Sequence, residues 1–117
     1  MTATSEFPKF VEAFGPILQA LVKVGGSAHK NAAVHEVAYL VPSTFDDIGK
    51  TERVNSEAFR NQIYKARAYL SSAGYVEYKQ GGIWTITEAG RAHAEMTKEE
   101  AVVLFLNTVP AQETQED

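Results

Sequence analysis

Apolar residues open the chain on a helical period. Phe7, Phe10, Val11, Phe14, Ile17, Leu18, Leu21 and Val22 are spaced so that they share one face of a helix. Pro16 lies inside that stripe and removes a backbone donor, so a bend is expected near Gly15-Pro16. Gly25-Gly26 then stops the helix. A second, shorter stripe runs through Val34, Val37, Ala38 and Val41, and Pro42 closes it. The polar stretch 42–54 predicts a loop, with one helical turn around Phe45 to Ile48. A third stripe, Phe59, Ile63, Ala66, Leu70 and Ala73, follows a cap supplied by Asn55 or Ser56 and ends at Gly74.

Past Gly74 the pattern changes. Tyr75 to Lys79 has strand propensity, with Tyr75 and Tyr78 on opposite faces, one packed and one exposed. Gly81-Gly82 suits the positive φ angles of a tight turn, and Ile83 to Ile86 returns as a second strand. Thr87 caps a helix expected from Glu88 to Met96. Thr97 and Glu100 have capping-box spacing and open a last apolar helix, Ala101 to Asn107. The expected organisation is one domain over 1–109, then a disordered acidic tail or linker start over 110–117. Three helices followed directly by a hairpin predict a mainly α fold with a small β-hairpin. This is a winged helix-turn-helix, with a two-stranded wing and one or two C-terminal helices.

A chain of 117 residues with 44% hydrophobic content suffices for one core without staples. Having no cysteine, it can form no disulfide and no thiolate metal site, which fits a cytoplasmic setting. No apolar run approaches the roughly 20 residues of a membrane span, and MTATSEFPKF lacks the basic start and apolar core of a signal peptide.

The net charge of −4 excludes a uniformly basic coat, but the charge is unevenly spread. Residues 53–87 carry five Lys/Arg (Arg53, Arg60, Lys65, Arg67, Lys79) against two Glu, whereas residues 88–117 carry two basic and seven acidic residues. The cationic stretch coincides with the third helix and the hairpin.

With Phe59 at the centre of the buried face, Glu57, Asn61, Tyr64 and Ala68 are expected to point outward. Arg60, Lys65 and Ser71 flank them, and Arg67 sits at the edge of the buried stripe. Asn can pair with adenine by two bonds and Arg with guanine, Tyr and Lys can hold phosphates, and Ala68 keeps the rod slim. The candidate DNA contacts are therefore Ser56, Arg60, Asn61, Tyr64 and Lys65 from the helix, with Lys79 and Gln80 from the wing. The plain alternatives are a solvated helix face and an idle hairpin. Arg67 and Trp84 read better as structural, Trp84 covering the core rather than stacking on a base.

Catalysis finds little support. Glu77-Tyr78-Lys79 has the Glu-x-Lys spacing of metal-dependent nucleases, but the available acids, Asp46 and Asp47, fall in a loop. His29, His35 and His93 match no metal spacing, so no metal and no cofactor are expected. Gly25 to Lys30 resembles a phosphate loop superficially, yet it lacks the G-x-x-x-x-G-K-[ST] spacing and reads as a helix stop. The last helix carries Val102, Val103, Leu104, Phe105 and Leu106 consecutively, more apolar surface than one packing face buries. A homodimer or a following nuclease domain is the expected partner for its free side.

Three pieces, in order, resemble the N-terminal domain of the Mrr family of restriction-system proteins. They are Pro16-Ile17-Leu18 with Leu21, then Phe59, Asn61, Ile63, Ala66-Arg67, Tyr69-Leu70 and Ala73-Gly74, then Gly81-Gly82-Ile83-Trp84, Ile86-Thr87 and Gly90-Arg91. The likeness spans about Phe14 to Arg91. It implies a winged helix that precedes a nuclease domain cutting modified foreign DNA, and hence the target-recognition domain of a modification-dependent restriction system. Gln62 stands where the family often has Arg and Lys65 where it often has Trp, which implies a different recognition face; the nuclease half has no counterpart in these residues. The leading expectation is thus a non-enzymatic module that binds double-stranded DNA. The competing one is a protein-interaction or dimerisation winged helix without DNA binding, favoured by the net acidity and the apolar last helix.

Overall fold

The structure, a computed structural model, describes residues 7–42, 45 and 49–110. A 3-10 turn, Lys9–Ala13, leads into helix α1, Phe14–Lys23. Strand β1, Ser27–His29, precedes helix α2, Lys30–Leu40. The short helix α3, Lys50–Arg53, is followed by the long helix α4, Glu57–Ser72. Strands β2, Val76–Lys79, and β3, Ile83–Ile86, lead to helix α5, Glu88–Ala92, and helix α6, Lys98–Asn107. The expected third helix is therefore α4. The loop expected over 42–54 ends in α3, and the turn expected near Phe45 to Ile48 lies mostly outside the described residues.

The first stripe does not form one bent helix. The break falls at Ala13/Phe14, ahead of the proline, and places Pro16 in the first turn of α1. There a missing N–H costs nothing, because the opening N–H groups of a helix have no acceptor within it. Phe14, Ile17, Leu18 and Leu21 are buried at the centre of the molecule, between α2, α4 and β3. Val34, Val37, Ala38 and Val41 close over them from α2, and Phe59, Ile63, Ala66 and Leu70 from α4.

The hairpin forms as expected, but a third strand joins it. The sheet order is β1-β3-β2, all antiparallel, with Ala28, Trp84 and Tyr78 in one register row and His29, Ile83 and Lys79 in the next. Side chains alternate faces along a strand. Val76, Trp84 and Ile86 turn into the core, while Ser27 bonds Thr85 across the outer face, Oγ to Oγ1 at 2.7 Å. Gly81 and Gly82 hold φ of 86° and 78°, the turn geometry that glycine supplies. Tyr75 precedes the strand and stacks on His93 at 4.9 Å, and Tyr78 lies under the Arg67 guanidinium, so both tyrosines are half-buried.

Caps set the remaining boundaries. Ser56 Oγ accepts from Phe59 N at 3.1 Å. Replacing Ser56 with alanine strands that donor, and about 1 kcal/mol of stability should be lost; a denaturant midpoint within error of wild type would contradict this. Thr87 Oγ1 accepts from Gly90 N and donates to Gly74 O, tying the end of α4 to the end of β3. Gly90 has no room for a side chain, since a β-carbon there would collide with Tyr75 O and lie 2.7 Å from Ile86 Cγ1. Helix α5 stops at Ala92 rather than reaching Met96. Both bonds of the Thr97–Glu100 capping box are present.

Helix α6 docks on the 3-10 turn rather than on α1 proper. Phe105 meets Phe10 at 5.9 Å and Tyr69 of α4 at 5.3 Å, and Ala101 and Leu104 are buried. Its other side stays open, with Val103 55% and Leu106 64% exposed, and Val109 just beyond it 79%. Among the described residues no helix is long and apolar enough to cross a membrane.

Candidate nucleic-acid interface

Helix α4 is held from behind by its apolar stripe and from one side by the hairpin. The ring of Tyr64 meets Trp84 edge-on at 6.0 Å, and the Arg67 guanidinium lies 4.5 Å from the Tyr78 ring and 5.7 Å from that of Trp84. These contacts rotate the free face away from its expected position. Ala68, expected to point outward, is buried, and Tyr64 is half-covered. With Glu57 at zero and about 100° per residue, Asn61, Lys65 and Ala58 fall at roughly 40°, 80° and 100°. All four are exposed. The open surface of the helix is thus the stripe Glu57, Asn61, Lys65, with Arg60 half-buried on the side nearer the wing.

Burial also redistributes the cationic charge. Arg67 is fully buried and also donates to Ser71 Oγ at 2.6 Å. Arg53 is buried as well, donating to Ala38 O at 3.1 Å and Pro42 O at 3.2 Å, with Phe45 and Phe59 rings beside its guanidinium. These two of the five segment cations are structural, which leaves Arg60, Lys65 and Lys79 to face outward. Trp84 is likewise wholly buried, a core residue as expected.

One cation comes from elsewhere. Lys30, the first residue of α2, is only 7% exposed and sets its ammonium 5.6 Å from the Tyr64 ring centroid. Its backbone N–H donates to Gly82 O at 2.8 Å, and a β-carbon on Gly82 would lie 3.5 Å from Lys30 Cδ and Cε. Lys30 thereby binds the wing tip to the start of α2 and crosses to α4. Beside it His29 caps α2, its Nδ1 accepting from Asn31 N at 3.1 Å. Neither role is written in the local sequence, because β1 alone brings Gly26 to Lys30 against the hairpin. Tyr64 sits among these groups; burial raises its phenol pKa above the ordinary value, and the nearby Arg60 charge partly opposes that.

The wing residues lie at the outer edge. Lys79 pairs with Glu77 at 3.6 Å, both exposed, and Gln80 is exposed beside the turn. That pairing turns the Glu-x-Lys spacing into an ordinary surface ion pair, while Asp46 and Asp47 lie outside the described residues. Among the described residues no three acidic or histidine side chains are grouped to hold a metal. Ser56 serves first as the cap of α4, with its oxygen already accepting from the helix.

A three-helix core, a long anchored helix with one polar face and a hairpin locked beside it define a winged-helix domain. A family model described as the Mrr N-terminal domain matches residues 10–95, and the chain belongs to that family. This match runs from within the 3-10 turn through α5 and is consistent with a domain of a Mrr-like restriction system that is not itself catalytic. Neither the curated proteins nor the solved structures gave a match.

Proposed function

We propose that this domain binds double-stranded DNA, as the target-recognition part of a Mrr-like, modification-dependent restriction system. Helix α4 enters the major groove with Asn61 and Lys65 foremost and Arg60 beside them, while Gln80 and Lys79 reach the backbone from the wing. The observation that carries this reading is the combination of an open polar stripe on α4 with a wing that Lys30 and Gly82 hold in fixed register to it. A preset rod and wing lose little freedom on docking, which is the condition for a selective contact. Family membership supports the same reading.

The exposed apolar side of α6 favours a second reading, in which the domain docks a second copy or a following domain through Val103, Leu106 and Val109. Anisotropy titration of a labelled duplex at rising salt, run beside light scattering, separates the two. Duplex binding that weakens steeply with salt is expected. Absence of binding at low salt, together with a stable dimer, would overturn the DNA reading in favour of the second.

A further inference from the structure

Glu57 opens α4, on the stripe that the preceding reading turns toward DNA. It is exposed, and among the described residues no Lys or Arg lies within ion-pair distance of it. It stands one residue after the cap, not at the third position where a Glu would close a capping box. A carboxylate on a surface that meets phosphates is costly unless it has a task. Acid in a first turn does favour the helix dipole, but that benefit requires no particular face of the helix. Glu57 shares its face with Asn61 and Lys65, and exposed Ala58 beside it leaves clearance.

We infer that Glu57 is a specificity-determining residue, accepting a hydrogen bond from the exocyclic amino group of a cytosine in the major groove. The inference rests on the DNA-binding reading. A carboxylate only accepts, and cytosine N4 is the donor that it can take there without competing acceptors; it repels the O6 and N7 of guanine and the O4 of thymine. Recognition helices of this class meet base edges with their N-terminal residues. Residues four apart rise by about 6 Å, and stacked base pairs by about 3.4 Å. The cytosine read by Glu57 therefore lies within about two steps of the adenine that suits Asn61. Lys65, roughly 12 Å along from Glu57, lies beyond both, where a cation can meet the phosphate backbone. Glu57 also acts against the wrong partner, since its charge lowers affinity for every duplex that lacks the cytosine.

The test is selection from a duplex pool with a randomised core of about 10 base pairs, roughly one turn, using the wild-type chain, Glu57→Gln and Glu57→Ala. Wild type is expected to enrich cytosine about tenfold at one position near a preferred adenine. Glutamine both donates and accepts and suits adenine, so Glu57→Gln should move the preference at that position from cytosine toward adenine. Glu57→Ala should erase it while raising affinity for unselected duplex. If the variants change melting temperature or overall affinity but enrich the same bases as wild type, Glu57 serves only the helix and the inference fails. If wild type binds the pool without preference, the inference also fails while DNA binding stands. Failure of wild type to bind any duplex would instead bring down the DNA-binding reading itself, and this inference with it.

Discussion

Alanine in place of Trp84 is expected to cost about 3–5 kcal/mol of folding stability, a large part of the roughly 5–15 kcal/mol that holds a domain of this kind together. Trp84 is the largest side chain that is fully buried, and it sits on the central strand of the sheet. Three elements depend on it at once. Tyr64 of α4 meets its edge, Arg67 of α4 lies over its face, and Ala28 and Tyr78 flank it from both neighbouring strands. Truncation leaves a cavity beside a buried guanidinium, so lost dispersion is compounded by poorer solvation of the charge. Far-UV circular dichroism under denaturant is the proper measurement, because Trp84 is the single tryptophan and its removal abolishes the usual fluorescence signal. A loss below about 1 kcal/mol, typical of a surface position, would show that the sheet does not depend on this ring. The indole Nε1–H has no hydrogen-bond partner among the described residues. Phenylalanine should therefore recover much of what alanine loses.

The same residue marks how far the sequence could be read. Trp84 was legible as core because an aromatic beside a tight turn packs more often than it projects. The stripes of α1, α2 and α4 were legible because each helix buries one face, and that condition is written in its spacing. Strand β1 was not. Ser27-Ala28-His29 is too short to show a period and has little strand propensity. Its ladder to β3, the Ser27–Thr85 side-chain bond and the flanking bonds from Ile86 N to Gly26 O and from Lys30 N to Gly82 O hold it to the hairpin. Everything that follows from β1 was hidden with it, including the placement of Lys30 over Tyr64. The orientation of the α4 face failed for a related reason. Periodicity locates the core side of a helix but cannot say that Tyr64 and Arg67 will pack on the hairpin, or that Ala68 will be buried. Charge counting had a parallel defect. A bare sum weighs Arg53 and Arg67 like exposed cations, although Arg67 reads as structural from its place on the helix and each is buried among aromatic rings and bonded to α2 or to its own helix.

That redistribution decides which substitutions should matter most for binding. Simultaneous replacement of Arg60 and Lys65 with alanine is expected to weaken duplex affinity by about 10- to 100-fold at low salt, on the footing that one such contact contributes about 1–3 kcal/mol. The slope of log K against log salt should flatten by about two units, since each phosphate neutralised contributes about 0.9. Lys65 projects from the open stripe, and Arg60, half-buried near Tyr64, borders it on the wing side, so the two cations flank the rod. Lys79→Ala should do less, because its charge is already shared with Glu77 at 3.6 Å. An exposed pair of that kind is worth roughly 0–1 kcal/mol and must open before Lys79 can meet a phosphate. Lys65 makes no packing contribution that alanine would forfeit, so the double variant should fold with stability close to wild type. An unchanged dissociation constant and an unchanged salt slope in that variant would mean that the open stripe of α4 does not face the duplex.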